Sequence, residues 1–128
     1  MFQLQFVSGG YVPPFEYRVC GNITPKLGMA LVRDGGKLVT ATGSKKPRYI
    51  SMLESDRPRD GEPIPVICAA GGILYSVATD GDFSSVQPGD KVMIGADGLT
   101  VTPVTGGQVE IVRPGGEAGE DMIVCFGD

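Results

Sequence analysis

The chain has 128 residues, with no histidine, no tryptophan and only three cysteines. Without histidine it lacks the commonest general base and the commonest metal ligand near neutral pH. Neither a Ser-His-Asp nor a Cys-His nucleophilic arrangement can be assembled. The thiols, Cys20, Cys68 and Cys125, are widely spaced and odd in number, and no two form a Cys-x-x-Cys pair. That pattern argues against a structural zinc site and against a complete disulfide framework. Cys68 and Cys125 lie in apolar, β-like runs, where a free thiol packs as a small hydrophobe. All three are expected to be reduced, consistent with assembly in a cytoplasm. No phosphate loop of the Gly-x-x-x-x-Gly-Lys-Ser/Thr type occurs, because Gly35-Gly36-Lys37 runs into Leu38.

Positive charge is also scarce. Eleven Lys and Arg against 15 Asp and Glu leave a net charge of −4. An acidic chain gains little from a phosphate backbone, so direct nucleic-acid binding is not expected. The uncharged stretch 64–79 is too short for a bilayer and is broken by Pro65, Gly71 and Gly72. The first residues alternate apolar with polar and carry no basic end, unlike a signal peptide. The one basic run, Lys45-Lys46-Pro47-Arg48, with Arg57 and Arg59 further along, reads as a solvated loop or an ionic contact with an acidic partner. Asp80-Gly81-Asp82 reads as an ordinary turn rather than a cation loop. Asp90 and Asp97 sit in turns that favour Asp for backbone reasons. Asn22-Ile23-Thr24 fits the glycosylation pattern and is expected to be silent. No enzyme activity, cofactor or metal is expected.

What the chain has in quantity is turn chemistry, with 20 Gly and 10 Pro that divide it into short segments. Asp34-Gly35-Gly36, Gly43-Ser44, Asp60-Gly61, Gly71-Gly72, Pro88-Gly89, Asp97-Gly98 and Gly106-Gly107 alternate with β-prone runs. These runs cover residues 29–33, 37–41, 49–53, 64–69, 73–78, 91–94, 99–103, 108–114 and 122–126. No window carries apolar residues at helical spacing over three turns. One turn is expected near residues 83–86, and the charged stretch 54–62 reads as an exposed loop. The expected fold is all-β, a small barrel or sandwich of short antiparallel strands.

Two segments resemble each other. Residues 25–43 and 87–106 each carry Pro and Gly, an apolar run, Asp-Gly, Leu, and a Thr-rich run closed by Thr-Gly. Asp-Gly between β-prone runs is a strong hairpin signal, because a tight primed turn needs positive φ. The same kind of hairpin is therefore expected twice.

The first 23 residues differ from the rest. Phe2, Leu4 and Phe6 alternate with Gln3 and Gln5 as in a half-buried strand. Gly9-Gly10 and Pro13-Pro14 then interrupt regular structure. Five of the nine Phe and Tyr side chains fall here: Phe2, Phe6, Tyr11, Phe15 and Tyr17. Such a segment either packs on something else or wraps its own barrel. The expected division is an extended arm over 1–23 and a β domain over 24–128. Phe2, Leu4, Phe6, Tyr11, Phe15 and Tyr17 are the candidate contacts to a partner or a neighbouring subunit.

Asp34-Gly-Gly-Lys-Leu-Val-Thr-Ala-Thr-Gly43, the strand Ile64-Pro-Val-Ile-Cys68, Val86-Gln-Pro-Gly-Asp-Lys-Val92 and Asp97-Gly-Leu-Thr100 together resemble the small β domains of tailed-bacteriophage capsid decoration (head cement) proteins. The resemblance covers roughly residues 24–126, and its motifs are turn signals rather than chemical signatures. It implies a structural virion protein on the outer surface of an icosahedral head. Such a protein binds the major capsid protein, often as a trimer, and stabilises the shell after assembly in the host cytoplasm. Pro88-Gly89-Asp90-Lys91-Val92 also resembles the turn of biotinyl and lipoyl carrier barrels. That alternative needs a displayed hairpin lysine, and Lys45 and Lys46 lack the setting.

Overall fold

The computed structural model describes residues 1–7, 14–69, 73–113 and 121–126, with Phe6 and Val7 as backbone. Eleven strands form: β1 (Gln3–Val7), β2 (Glu16–Val19), β3 (Ala30–Asp34), β4 (Lys37–Thr40), β5 (Tyr49–Ser51), β6 (Pro63–Cys68), β7 (Ile73–Thr79), β8 (Lys91–Ile94), β9 (Thr100–Thr105), β10 (Val109–Arg113) and β11 (Met122–Phe126). There is no helix among the described residues, and the fold is all-β as the turn density requires. The expected turn near 83–86 is present, closed by the Val86 N–H donating to the Phe83 carbonyl at 3.1 Å.

The strands make two sheets with the same wiring. In the first, the order β7-β11-β10-β8-β9 closes into a barrel, because β9 returns to β7 in parallel through Ala78–Thr100 and Thr79–Val101. In the second the order is β2-β6-β5-β3-β4. It rolls up in the same sense, with one parallel bridge between Cys20 and Leu38 bringing β4 back to the end of β2. The Gly21 N–H donates to the Leu38 carbonyl at 2.7 Å and fastens that seam. In each unit the second and third strands form a hairpin, β3–β4 or β8–β9. The second strand then pairs the fourth, the fourth the fifth, and the fifth the first. The two similar segments of the sequence are thus equivalent hairpins in two equivalent units.

Their turns differ. Gly35 and Gly36 both have positive φ, 59° and 83°, which makes the tight primed turn expected of this hairpin. Between β8 and β9 only Gly98 has positive φ, 71°. There the connection is longer, and the Asp97 carboxylate accepts the Leu99 N–H at 2.9 Å.

The division expected at residue 23 does not coincide with a structural boundary. β1 pairs antiparallel with β7, and β2 pairs antiparallel with β6. β2 was not expected from the sequence, because Pro13-Pro14 before it and Gly21 after it leave only six residues, of which four form the strand. The Phe2 N–H also donates to Gly28 O at 2.9 Å, so the N-terminal strand is tied to both units.

Strand alternation fills each interior. One core cluster contains Tyr75, Val77, Val92, Ile94, Val101, Val109, Ile111, Met122, Val124 and Phe126 from the barrel, together with Phe2. It continues into Ala30, Ile50 and Ile67 of β3, β5 and β6. A second cluster, of Cys20, Met29, Leu31, Leu38, Tyr49, Ile64 and Val66, lies within the roll. Strands β3, β5 and β6 of the roll therefore present one face to its own interior and one to the barrel. Backbone bonds cross the same boundary: Ala30 N–H donates to Gly98 O at 2.9 Å, and Gly43 and Ile94 exchange bonds at 2.9 and 3.0 Å.

Candidate functional site

Two surface features combine chemistry with geometry, and both belong to the roll. The first is a row of exposed apolar side chains on β2. Phe15, Tyr17 and Val19 are 57%, 64% and 40% exposed, far more than core residues. Their spacing of two puts them on one face, because successive side chains of a strand alternate. Tyr17 and Val19 stand opposite Pro65 and Pro63 of β6, and those prolines add to the same outward face. Proline fits there because the Pro65 carbonyl accepts Met52 N–H just beyond β5, so its missing donor falls past the end of that short strand.

The candidate contacts from the sequence therefore separate. Phe15 and Tyr17 are exposed and share the row with Val19, which sequence reasoning missed. The signal for Val19 was present as the third member of an alternating apolar set. Phe2 is corrected: it is 2% exposed, packed against Tyr75 and Phe126 with ring centroids 6.2 and 5.4 Å away. Its β1 register turns it inward, where burying the ring is favourable. Leu4 is half-buried against the same core. The Phe6 side chain and all of Tyr11 lie outside the described residues.

The second feature is a cleft of about 400 Å³ at the rim of the roll, lined by Val32, Arg33, Arg48, Tyr49 and Cys68. It forms where the inward-facing residues of the strands change from apolar to polar. On β2 the inward side chains are Glu16 and Arg18, leading to the buried Cys20. On β3 Leu31 is followed two residues later by Arg33, and on β6 Val66 by Cys68. Tyr49 caps the interior, 9% exposed. Its hydroxyl accepts N–H bonds from Arg33 at 2.9 Å and from Arg18 at 3.4 Å. Both guanidinium carbons lie 5.6 Å from its ring centroid, within cation–π range. Arg18 is paired with the Glu16 carboxylate. Neither Arg33 nor Arg48 makes an ion pair among the described residues.

Cys68 also departs from expectation. It is exposed at the rim, because it ends β6 where the strand leaves the roll. Cys125 is half-buried with its thiol 3.8 Å from a Glu110 oxygen, and Cys20 is fully buried. Burial pushes the Cys20 and Cys125 thiols up from their ordinary values.

The basic run does not act as a unit. Arg48 lines the cleft while Lys45 is exposed. Arg57 is engaged by Glu62 at 2.8 Å, and Arg59 donates to the Ser55 hydroxyl at 2.8 Å. Asp90 accepts the Gln87 N–H at 3.0 Å and Asp82 the Ser84 N–H at 2.9 Å, both turn-stabilising bonds. Lys45 and Lys46 sit in the β4–β5 connection, not at a hairpin tip. No group of three or more His, Cys, Asp and Glu side chains converges among the described residues. No family model, curated protein or solved structure matches the chain.

Proposed function

We propose that the protein is a structural binding protein of the phage-head decoration type. It attaches to the outer surface of an icosahedral shell built from the major capsid protein and stabilises that shell. The single observation that carries the reading is the exposed row of Phe15, Tyr17 and Val19 beside Pro63 and Pro65 on a rigid two-unit body. A contiguous exposed apolar face, rather than scattered single residues, marks a surface that another protein covers. Aromatic anchors such as Phe15 and Tyr17 contribute most where a partner pocket excludes water around them. The resemblance of the hairpin motifs to decoration proteins supplies the class of partner, and a trimer touching several capsid subunits gains avidity that one contact lacks.

The test is co-sedimentation with icosahedral heads assembled from a tailed-phage major capsid protein. The native protein should bind assembled heads and not free capsid subunits. The double substitution Tyr17→Ser, Val19→Ser should abolish binding while leaving the melting temperature of the free protein unchanged within a few degrees. Lys46→Ala should bind normally. Equal affinity for heads and free subunits, or full binding by the double variant, contradicts the reading.

A further inference from the structure

We propose that the cleft at the rim of the roll is a binding site for a phosphate-class oxyanion, either free inorganic phosphate or the phosphate of a small monoester. The proposal stands apart from capsid binding, since it uses the rim of the roll and not the outward row on β2. Arg33 and Arg48 both line the cleft, and Arg18 and Arg33 both donate to the Tyr49 hydroxyl, in a chain whose net charge is −4. Glu16 offsets Arg18, but Arg33 and Arg48 have no carboxylate among the described residues. Among the described residues, then, no ion pair takes up their charge.

One of these donors is held by its side chain and the other is positioned by its backbone alone. Arg33 is fixed against the Tyr49 hydroxyl at 2.9 Å and over its ring, which restricts the guanidinium fork. Arg48 is anchored by its backbone, its N–H donating to Leu31 O and its carbonyl accepting from Ala69 N–H, both at 2.9 Å. The Tyr49 oxygen accepts from Arg18 and Arg33, which leaves the hydroxyl hydrogen for a third partner. Two planar forks and a hydroxyl donor suit an anion with several oxygens, and phosphate in particular, because Arg engages it through paired N–H bonds. A volume of about 400 Å³ admits a phosphate carrying a small organic group. Val32 supplies an apolar wall against which such a group can lie.

The experiment is titration of the full chain by calorimetry and amide NMR, at constant ionic strength, with inorganic phosphate, phenyl phosphate and acetate. Saturable one-to-one binding of phosphate or phenyl phosphate, with amide shifts confined to residues around 32–33, 48–49 and 68, is expected. Tighter binding of phenyl phosphate assigns a monoester, and tighter binding of inorganic phosphate assigns the free anion. Arg48→Gln and Arg33→Gln should each weaken binding roughly tenfold, the size of a lost charge-assisted contact. Lys46→Gln, a nearby cation outside the cleft lining, should leave it unchanged. Should a variant fail to fold, the unmodified protein still decides the matter: saturating phosphate should slow iodoacetamide labelling of Cys68. Absence of saturable binding, acetate binding as tightly as phosphate, loss of affinity in Lys46→Gln equal to that in Arg48→Gln, or a Cys68 labelling rate indifferent to phosphate would overturn the proposal.

Discussion

The barrel of β7 to β11 and the roll of β2 to β6 share strand order and the sense of every pairing, yet they enclose different interiors. The barrel's inward positions are aliphatic or aromatic over most of their length, from Ile73, Tyr75 and Val77 to Met122, Val124 and Phe126, with Thr79 and Thr105 only at strand ends. It is filled and closed. The roll is apolar only at one end, where Cys20, Leu31, Leu38, Ile64 and Val66 meet. At the other end the same inward positions are Glu16, Arg18, Arg33, Tyr49 and Cys68, and a cleft opens. Backbone wiring alone therefore does not decide which unit carries a site. A few inward residues at strand ends decide it, because an arginine there cannot be sealed in and instead keeps its charge near water.

The largest test of this comparison concerns the surface the units share. Ile67 belongs to β6 of the roll but packs in the barrel's core cluster. Ile67→Ala should destabilise the whole chain by about 2–5 kcal/mol through lost burial and a residual cavity. Calorimetry should show one unfolding transition before and after the substitution. Two separated transitions would mean that the units are independent.

The next effect contrasts the equivalent turns. An alanine at Gly35, with φ +59° and no neighbour within 4 Å, faces only the left-handed backbone penalty, about 1–2 kcal/mol. At Gly98, φ +71°, the added Cβ would lie 2.5 Å from Thr40 Cγ2 and 3.2 Å from Met29 Cγ. Gly98→Ala should therefore cost clearly more than Gly35→Ala in urea denaturation. Equal losses would show that the β8–β9 turn does not press on the roll.

A smaller change of opposite sign is expected inside the barrel. The Tyr75 hydroxyl is buried with no hydrogen-bond partner among the described residues, and burial raises its phenol pKa strongly. Tyr75→Phe removes an unsatisfied polar atom and keeps the ring stacked against Phe2 and Phe126, so stability should rise by about 1 kcal/mol. A fall in melting temperature would contradict this.

The smallest effect lies on the roll's surface. The Arg57 guanidinium holds the exposed Glu62 carboxyl below its ordinary value, with Arg59 adding to the pull. A depressed folded-state pKa stabilises the fold above the unfolded pKa, and that contribution disappears as pH falls through the folded value. Comparing Glu62→Gln with the native chain across the acid range should show a small stability difference at neutral pH that vanishes below the carboxylate range. A difference that persists in acid would assign the loss to packing.

Much of this fold was legible in the residues. Asp34-Gly35 and Asp97-Gly98 announced two hairpins, and β3 to β11 fall where the turn clusters allow. Phe2, Leu4 and Phe6 correctly marked a strand. Two things were not legible. β2 alternates apolar and charged residues from Phe15 to Val19 but is short and flanked by Pro and Gly, and the partner strand β6 that completes it lies more than forty residues away. The arginine cleft depends on contacts across 16 and 31 residues, Arg33 and Arg18 to Tyr49, and no local motif encodes such distances. Phe2 and Phe15, each just ahead of a strand, look alike in sequence, yet one is buried against Tyr75 and Phe126 and the other is on the surface.

The contrast between a sealed interior and an open rim is read most directly by the three thiols, labelled with N-ethylmaleimide in phosphate-free buffer and located by peptide mass mapping. Cys68 at the rim should react first, Cys125 more slowly, and Cys20, fully buried at the apolar end of the same roll, only on unfolding. Labelling of Cys20 in the native protein at the rate of Cys68 would show that the roll is not closed at its apolar end, and would contradict the structural comparison.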